Sequence, residues 1–126
     1  METASIIAID LAKNVFHLHG ASESGAVVFR KTQQRSRLLD FAGSQPACII
    51  AMEACATAHW WARQFEAMGH RVRLMPPVYV KPFLKRQKND TADAEAIAEA
   101  AMRPTMRFVA VKSEARARAG DGIPDP

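Results

Sequence analysis

Residues 5–19 read Ser5-Ile6-Ile7-Ala8-Ile9-Asp10-Leu11-Ala12-Lys13-Asn14-Val15-Phe16-His17-Leu18-His19. Ser5 to Ile9 is a short apolar run rich in β-branched residues that ends at a carboxylate, the pattern of a buried strand. Val15 to Leu18 alternates as a second strand. Gly20 to Gly25 is a turn, and Ala26 to Lys31 reads as a third strand. The spacing between them predicts an antiparallel meander with tight connections.

The rest of the chain changes period. Gln33 to Phe41 reads as a helix anchored by Leu38, Leu39 and Phe41, and Gly43 to Pro46 ends it. Ala47 to Met52 is a wholly apolar strand that delivers Glu53. Ala56 to Met68 is a helix with Ala58, Trp61, Ala62, Phe65 and Met68 on one stripe, closed by Gly69. Of the adjacent tryptophans Trp60 and Trp61, one is assigned to the core and the other to an interface contact. His70 to Met75 is a strand stopped by Pro76-Pro77. Val78 to Leu84 is a short helix or turn, Asp90 to Met102 an alanine-rich helix bounded by Pro104, and Arg107 to Val111 a last strand-like piece. The order is β-β-β-α-β-α-β-α. It predicts an α/β fold with a mixed sheet and helices on both faces, the order of the ribonuclease H-like fold. Fold alone does not give function.

The carboxylates carry the chemistry. Asp10 follows the first strand and Glu53 the fourth, and both strands are expected near the centre of the sheet. Side chains at such strand ends meet outside the sheet edge, where open α/β sheets place their sites. Asp90 and Asp93 are three apart at a helix start and share a face. Four converging acids are costly without a cation. Hard oxygen donors suit Mg²⁺ or Mn²⁺, and two such ions about 3.5–4 Å apart serve phosphodiester displacement. Each acid also has a plainer reading: Asp10 as a strand-end acid, Glu53 as a first-turn acid favoured by a helix dipole, Asp90 and Asp93 as a helix cap. The metal reading rests on all four standing in order on suitable elements.

Charge distribution says more than the net charge of +4. Arg71, Arg73, Lys81, Lys85, Arg86 and Lys88 fall in a stretch without an acid, and the next, Asn89 to Met102, holds Asp90, Asp93, Glu95 and Glu99 without a base. Lys81, Lys85, Arg86 and Lys88 beside the acids can hold a nucleic-acid backbone, positioning it without reading sequence. Lys13 can approach a phosphate, and serves equally as a surface lysine. A solvated face with helix-capping acids is the plainer reading of the whole stretch.

Other chemistries are excluded or weak. His17, His19, His59 and His70 lack zinc-ligand spacing. No Gly-x-Ser-x-Gly elbow occurs. Cys48 and Cys55 fit neither a Cys-x-x-Cys pair nor a disulfide scaffold, which points to reduced thiols in a cytoplasmic protein. No apolar run reaches the roughly 18–20 residues of a membrane span, and the N-terminus lacks the basic region of a signal peptide. An actin-like or sugar-kinase ATPase needs glycine-rich phosphate loops, which Gly20, Gly25, Gly43 and Gly69 do not form.

Ile9 to Phe16, Met52-Glu53-Ala54-Cys55 and Lys88 to Ala94 resemble the DEDD transposases, a family that includes pilin-gene invertases and related insertion-sequence recombinases. Val80 to Phe83 and Arg107 to Lys112 also resemble its connecting segments, so the resemblance runs from Ile6 to Ser113. It implies a RuvC-like domain over residues 1–112 with a metal-binding tetrad at Asp10, Glu53, Asp90 and Asp93. It further implies Mg²⁺ or Mn²⁺, DNA cleavage and joining in transposition or inversion, a structured guide RNA in many members, and homo-oligomers of full-length relatives. The family carries a further C-terminal domain with a serine nucleophile. This chain is expected to be the N-terminal part only, incomplete for strand exchange by itself, with residues 113–126 a disordered tail unlike the family. Two other functions fit the same residues: a stand-alone RuvC-like structure-specific nuclease, and a non-catalytic remnant or interaction fragment that modulates a full-length transposase.

Overall fold

A computed structural model describes residues 3–11, 15–84 and 92–114. Its centre is the opening stretch. Strand β1 (Ile6–Asp10) pairs antiparallel with β2 (Val15–Ala21), which pairs antiparallel with β3 (Val27–Gln34). On its other side β1 runs parallel to β4 (Ile49–Glu53), and β4 parallel to β5 (Arg71–Met75). The sheet order is β3-β2-β1-β4-β5. β1 is therefore central, and its apolar run is buried on both faces, as expected of a strand covered by helices on each side.

Strand parity divides the core in two. Ile7, Ile9, Phe16, Leu18, Ile50, Met52 and Leu74 face α1 (Leu38–Ser44) and α2 (Ala58–Ala67), which contribute Leu38, Trp61, Ala62 and Phe65. Trp61 packs edge-on against Phe16 at 5.4 Å and stacks on Phe65, while Trp60 is 46% exposed. Gly69, at φ +98°, ends α2 as expected, and the His70 N–H returns to the Phe65 carbonyl. The opposite face, with Ile6, Ala8, Ala51 and Met75, is covered by α4 (Ala92–Ala101) through Ala96, Ile97 and Ala100. Between β5 and α4 lie the single turn α3 (Pro77–Val80) and a 3₁₀ turn (Lys81–Phe83).

Several boundaries differ from the sequence reading. Gln33 and Gln34 belong to β3, not to a helix, because the ladder to β2 continues to Val15↔Gln34; α1 begins only after a 3₁₀ turn at Arg35–Arg37. Met68 is exposed and not part of the buried stripe. The strand expected over Arg107–Val111 is a single antiparallel bridge, Leu74↔Val109. Its neighbours are drawn elsewhere: the Lys112 amide donates to His59 Nδ1 at 3.0 Å and its carbonyl accepts from Arg63 at 2.7 Å, fastening the segment to α2. Of the expected tail, residues 115–126 lie outside the described residues.

Candidate active site

Asp10 is the last residue of β1 and Glu53 the last of β4. The parallel register pairs Ala8 with Ala51, so one pleat further Asp10 and Glu53 occupy matching positions, on strands about 4.8 Å apart. Their parity is that of Ala8 and Ala51, the α4 face. Asp93, in the first turn of α4, is brought to the same end of that face. It lines a cleft of about 340 Å³ with Glu53, Val78, Lys81 and Leu84. A smaller cleft of about 150 Å³ adjoins it, lined by Asp10, Glu53, Cys55 and Ile97. Glu53 and Pro77 line both clefts.

The electrostatics bind the three acids into one unit. Asp10 titrates above its ordinary range, first because burial penalises its charge and then because Asp93 repels it; His17 opposes the shift. Glu53 is also raised, by burial first, then by Asp10 and Asp93. Like charges held in a half-buried site make protonation or a cation favourable. Strained titrations of this kind cluster at functional sites.

Among the expected site residues, the structure brings together Asp10, Glu53, Asp93 and Lys81. Asp90, Lys13, Lys85, Arg86 and Lys88 lie outside the described residues. Among the described residues, no three His, Cys, Asp or Glu side chains come close enough to cage a metal ion. His17, weighed in the sequence only as a zinc ligand, is the cross-strand partner of Asp10, and its buried Nδ1 has no hydrogen-bond partner among the described residues. Register is what reveals it. Tyr79, Arg103 and Arg107, on the wall next to the larger cleft, were not singled out either. Each stands alone in sequence, and only the packing of α3 against the segment after α4 gathers them.

Of the remaining candidates, His70 and Cys48 are structural. His70 is buried; its Nδ1 accepts from the Cys48 amide at 3.2 Å and its Nε2 donates to the Ala42 carbonyl at 2.8 Å. Cys48 and Cys55 are both free thiols. Burial pushes the Cys48 thiol up to about 11, which keeps it protonated and unreactive.

Comparison with known proteins gives the family and the fold. The DEDD transposase family model of the IS110 type, described as transposase, matches residues 7–118. A Pseudomonas aeruginosa protein named "Probable family 20 transposase" is 51% identical over 109 residues, 86% of this chain and 32% of that one. The transposase for insertion sequence element IS1328 of Yersinia enterocolitica is 46% identical over 114 residues, 90% of this chain and 34% of that one. The chain thus spans about a third of the length of these relatives. Among solved structures, T. thermophilus RuvC in complex with Holliday junction substrate superposes with a TM-score of 0.61 at 13% identity, covering 86% of this chain and 100% of that chain. Thermus thermophilus RuvC alone gives 0.52 at 15% identity, over 82% and 99% of the two chains. The fold is RuvC-like, a ribonuclease H-like mixed sheet.

Proposed function

The chain belongs to the IS110-type DEDD transposases, and from that premise we propose that it is the metal- and DNA-binding domain, residues 1–112, through which such a transposase cuts and joins DNA strands. One observation carries the reading: Asp10 and Glu53 end adjacent parallel strands on the face where Asp93 stands in the first turn of α4, and both strand-end carboxyls are raised by burial and by Asp93, with Asp10 adding to the shift of Glu53. Asp90, three residues before Asp93, is the fourth ligand in this reading.

The donor set fits Mg²⁺ or Mn²⁺. The donors are hard oxygens, and Mg²⁺ is commonly held by one or two carboxylates with substrate phosphate and water, not by a closed protein cage. When bound, the ion stabilises the charge that develops on the attacking and leaving oxygens of a phosphodiester. The chain's own residues do the rest. Asp10 and Glu53 offer oxygens from rigid strand ends. Asp93 brings its carboxylate on a helix locked against the sheet. Lys81, on the wall of the same cleft, neutralises the DNA backbone, with Lys13, Lys85, Arg86 and Lys88 as further backbone contacts. Target choice by a structured RNA, assembly of several copies and serine chemistry belong, in this reading, to the whole transposase acting on cytoplasmic DNA.

The test is nicking of a four-way junction and of supercoiled plasmid by the purified chain. The expected result is Mn²⁺-dependent nicking that EDTA abolishes and that Asp10→Asn lowers about 100-fold or more, the usual scale for losing one charge-stabilising group. Nicking that survives EDTA or equals wild type in the variant overturns the metal assignment. A second reading, a domain that binds DNA but whose site closes only with substrate and the longer protein, is favoured by the absence of a three-ligand cage among the described residues. Binding without nicking selects it.

A further inference from the structure

The acid-lined cleft does not end at Lys81. Val78 also lines a second groove, about 430 Å³, whose walls are α3, the 3₁₀ turn and the segment after α4. Among the described residues its lining includes Tyr79, Phe83, Arg103 and Arg107 and no acid. Tyr79 is 44% exposed and Val78 64% exposed. The Arg103 guanidinium lies over the Phe83 ring at 5.3 Å, and Arg73 lies over Phe108 at 5.1 Å just outside. Among the described residues neither Arg103 nor Arg107 is ion-paired to a carboxylate. An exposed tyrosine ring in one groove with two arginines that have no carboxylate partner among the described residues, on a surface continuous with a candidate phosphate site, is an unusual use of apolar surface in a small domain.

We propose that this groove binds an unpaired stretch of DNA strand next to the site of cleavage, with Tyr79 as the stacking platform and Arg103 and Arg107 as backbone contacts. This rests on the DNA-cleaving reading above and adds the state of the substrate. The chemistry favours a single strand over a duplex. A duplex presents phosphates and base edges, and its bases stack on one another. An exposed ring gains nothing from them, whereas an unpaired base offers a face. Arginine serves both parts, pairing with phosphate and stacking through its plane. Docking of a protein segment is the competing occupant. A lining with two arginines and no acid among the described residues, continuous with the proposed site of phosphodiester chemistry, argues for the polyanion.

The test is fluorescence anisotropy of the full chain with a labelled 12-nucleotide single strand and with the same sequence as a duplex, both in EDTA. Tyr79→Ala is expected to weaken single-strand binding by about 5- to 100-fold, the range for one lost stacking contact, and to change duplex binding less than twofold. Tyr79→Phe is expected to retain wild-type affinity, and Arg107→Gln to weaken both ligands and lower the salt dependence. Equal losses on both ligands for Tyr79→Ala, or no loss on the single strand, overturn the proposal. A change in sedimentation with intact DNA binding overturns it in favour of a protein occupant. Because the readout is metal-free, failure of metal-dependent nicking leaves this result standing, and the reverse also holds.

Discussion

Asp10 and Glu53 carry charge where the fold makes charge expensive, and this fixes their effect on stability. In the unfolded chain they titrate near their ordinary values of 3.8 and 4.5; the fold raises both. As pH climbs through those values the unfolded chain releases its protons first. Each carboxyl therefore subtracts stability across that window, and the full penalty stands once pH passes the folded values. Below the ordinary values the penalty is absent. Asp10→Asn and Glu53→Gln are thus expected to raise the melting temperature of the metal-free chain at pH 7 by about 1–4 °C, the effect of a fraction of a kcal/mol in a domain this size. They are also expected to flatten the fall in stability between pH 4 and pH 7, checked by thermal unfolding across that range. A gain on removing a residue marks a site kept for chemistry at the expense of stability. Both acids were legible in the sequence because each ends an apolar run. His17 was not, since its place beside Asp10 depends on the β1–β2 register, and no local pattern encodes that.

At the scale of elements, α4 decides whether the site assembles. It lies on the sheet through alanines, with Ala96 and Ala100 over Ala8 and Ala51, all fully or nearly fully buried. Small side chains on both surfaces let the helix approach closely, and that approach sets where Asp93 stands. Ala51→Val adds two methyl groups beneath it without touching a carboxylate. Overpacking of this kind costs about 1–3 kcal/mol. The variant is expected to melt at lower temperature and to show a weaker stabilisation by Mn²⁺, because Asp93 moves with its helix. The core elements were readable from apolar runs and period. The misread pieces were those where partners outweighed local preference: Gln33 and Gln34 joined β3 because β2 offered ladder hydrogen bonds, and the 107–111 segment lost its strand because His59 and Arg63 hold its end on α2.

At the scale of the whole molecule, one sheet separates two tasks. The α1–α2 face holds the aromatic core, with Phe16, Trp61 and Phe65 in mutual contact. The α4 face, lined by small residues, holds the acids at one end. Running on from them is a basic, aromatic groove. The family match covers residues 7–118, and the fold is RuvC-like. The central claim is that the acids form a cation site, and thermal unfolding of the full chain with and without Mn²⁺ tests it most directly, comparing wild type with Asp10→Asn. A ligand at a hundred times its Kd stabilises a folded protein by about 2.7 kcal/mol. The account predicts a wild-type melting temperature that climbs with Mn²⁺ toward that limit, and a variant that starts higher and does not respond. An equal response in both proteins, or none in wild type at saturating Mn²⁺, would contradict it.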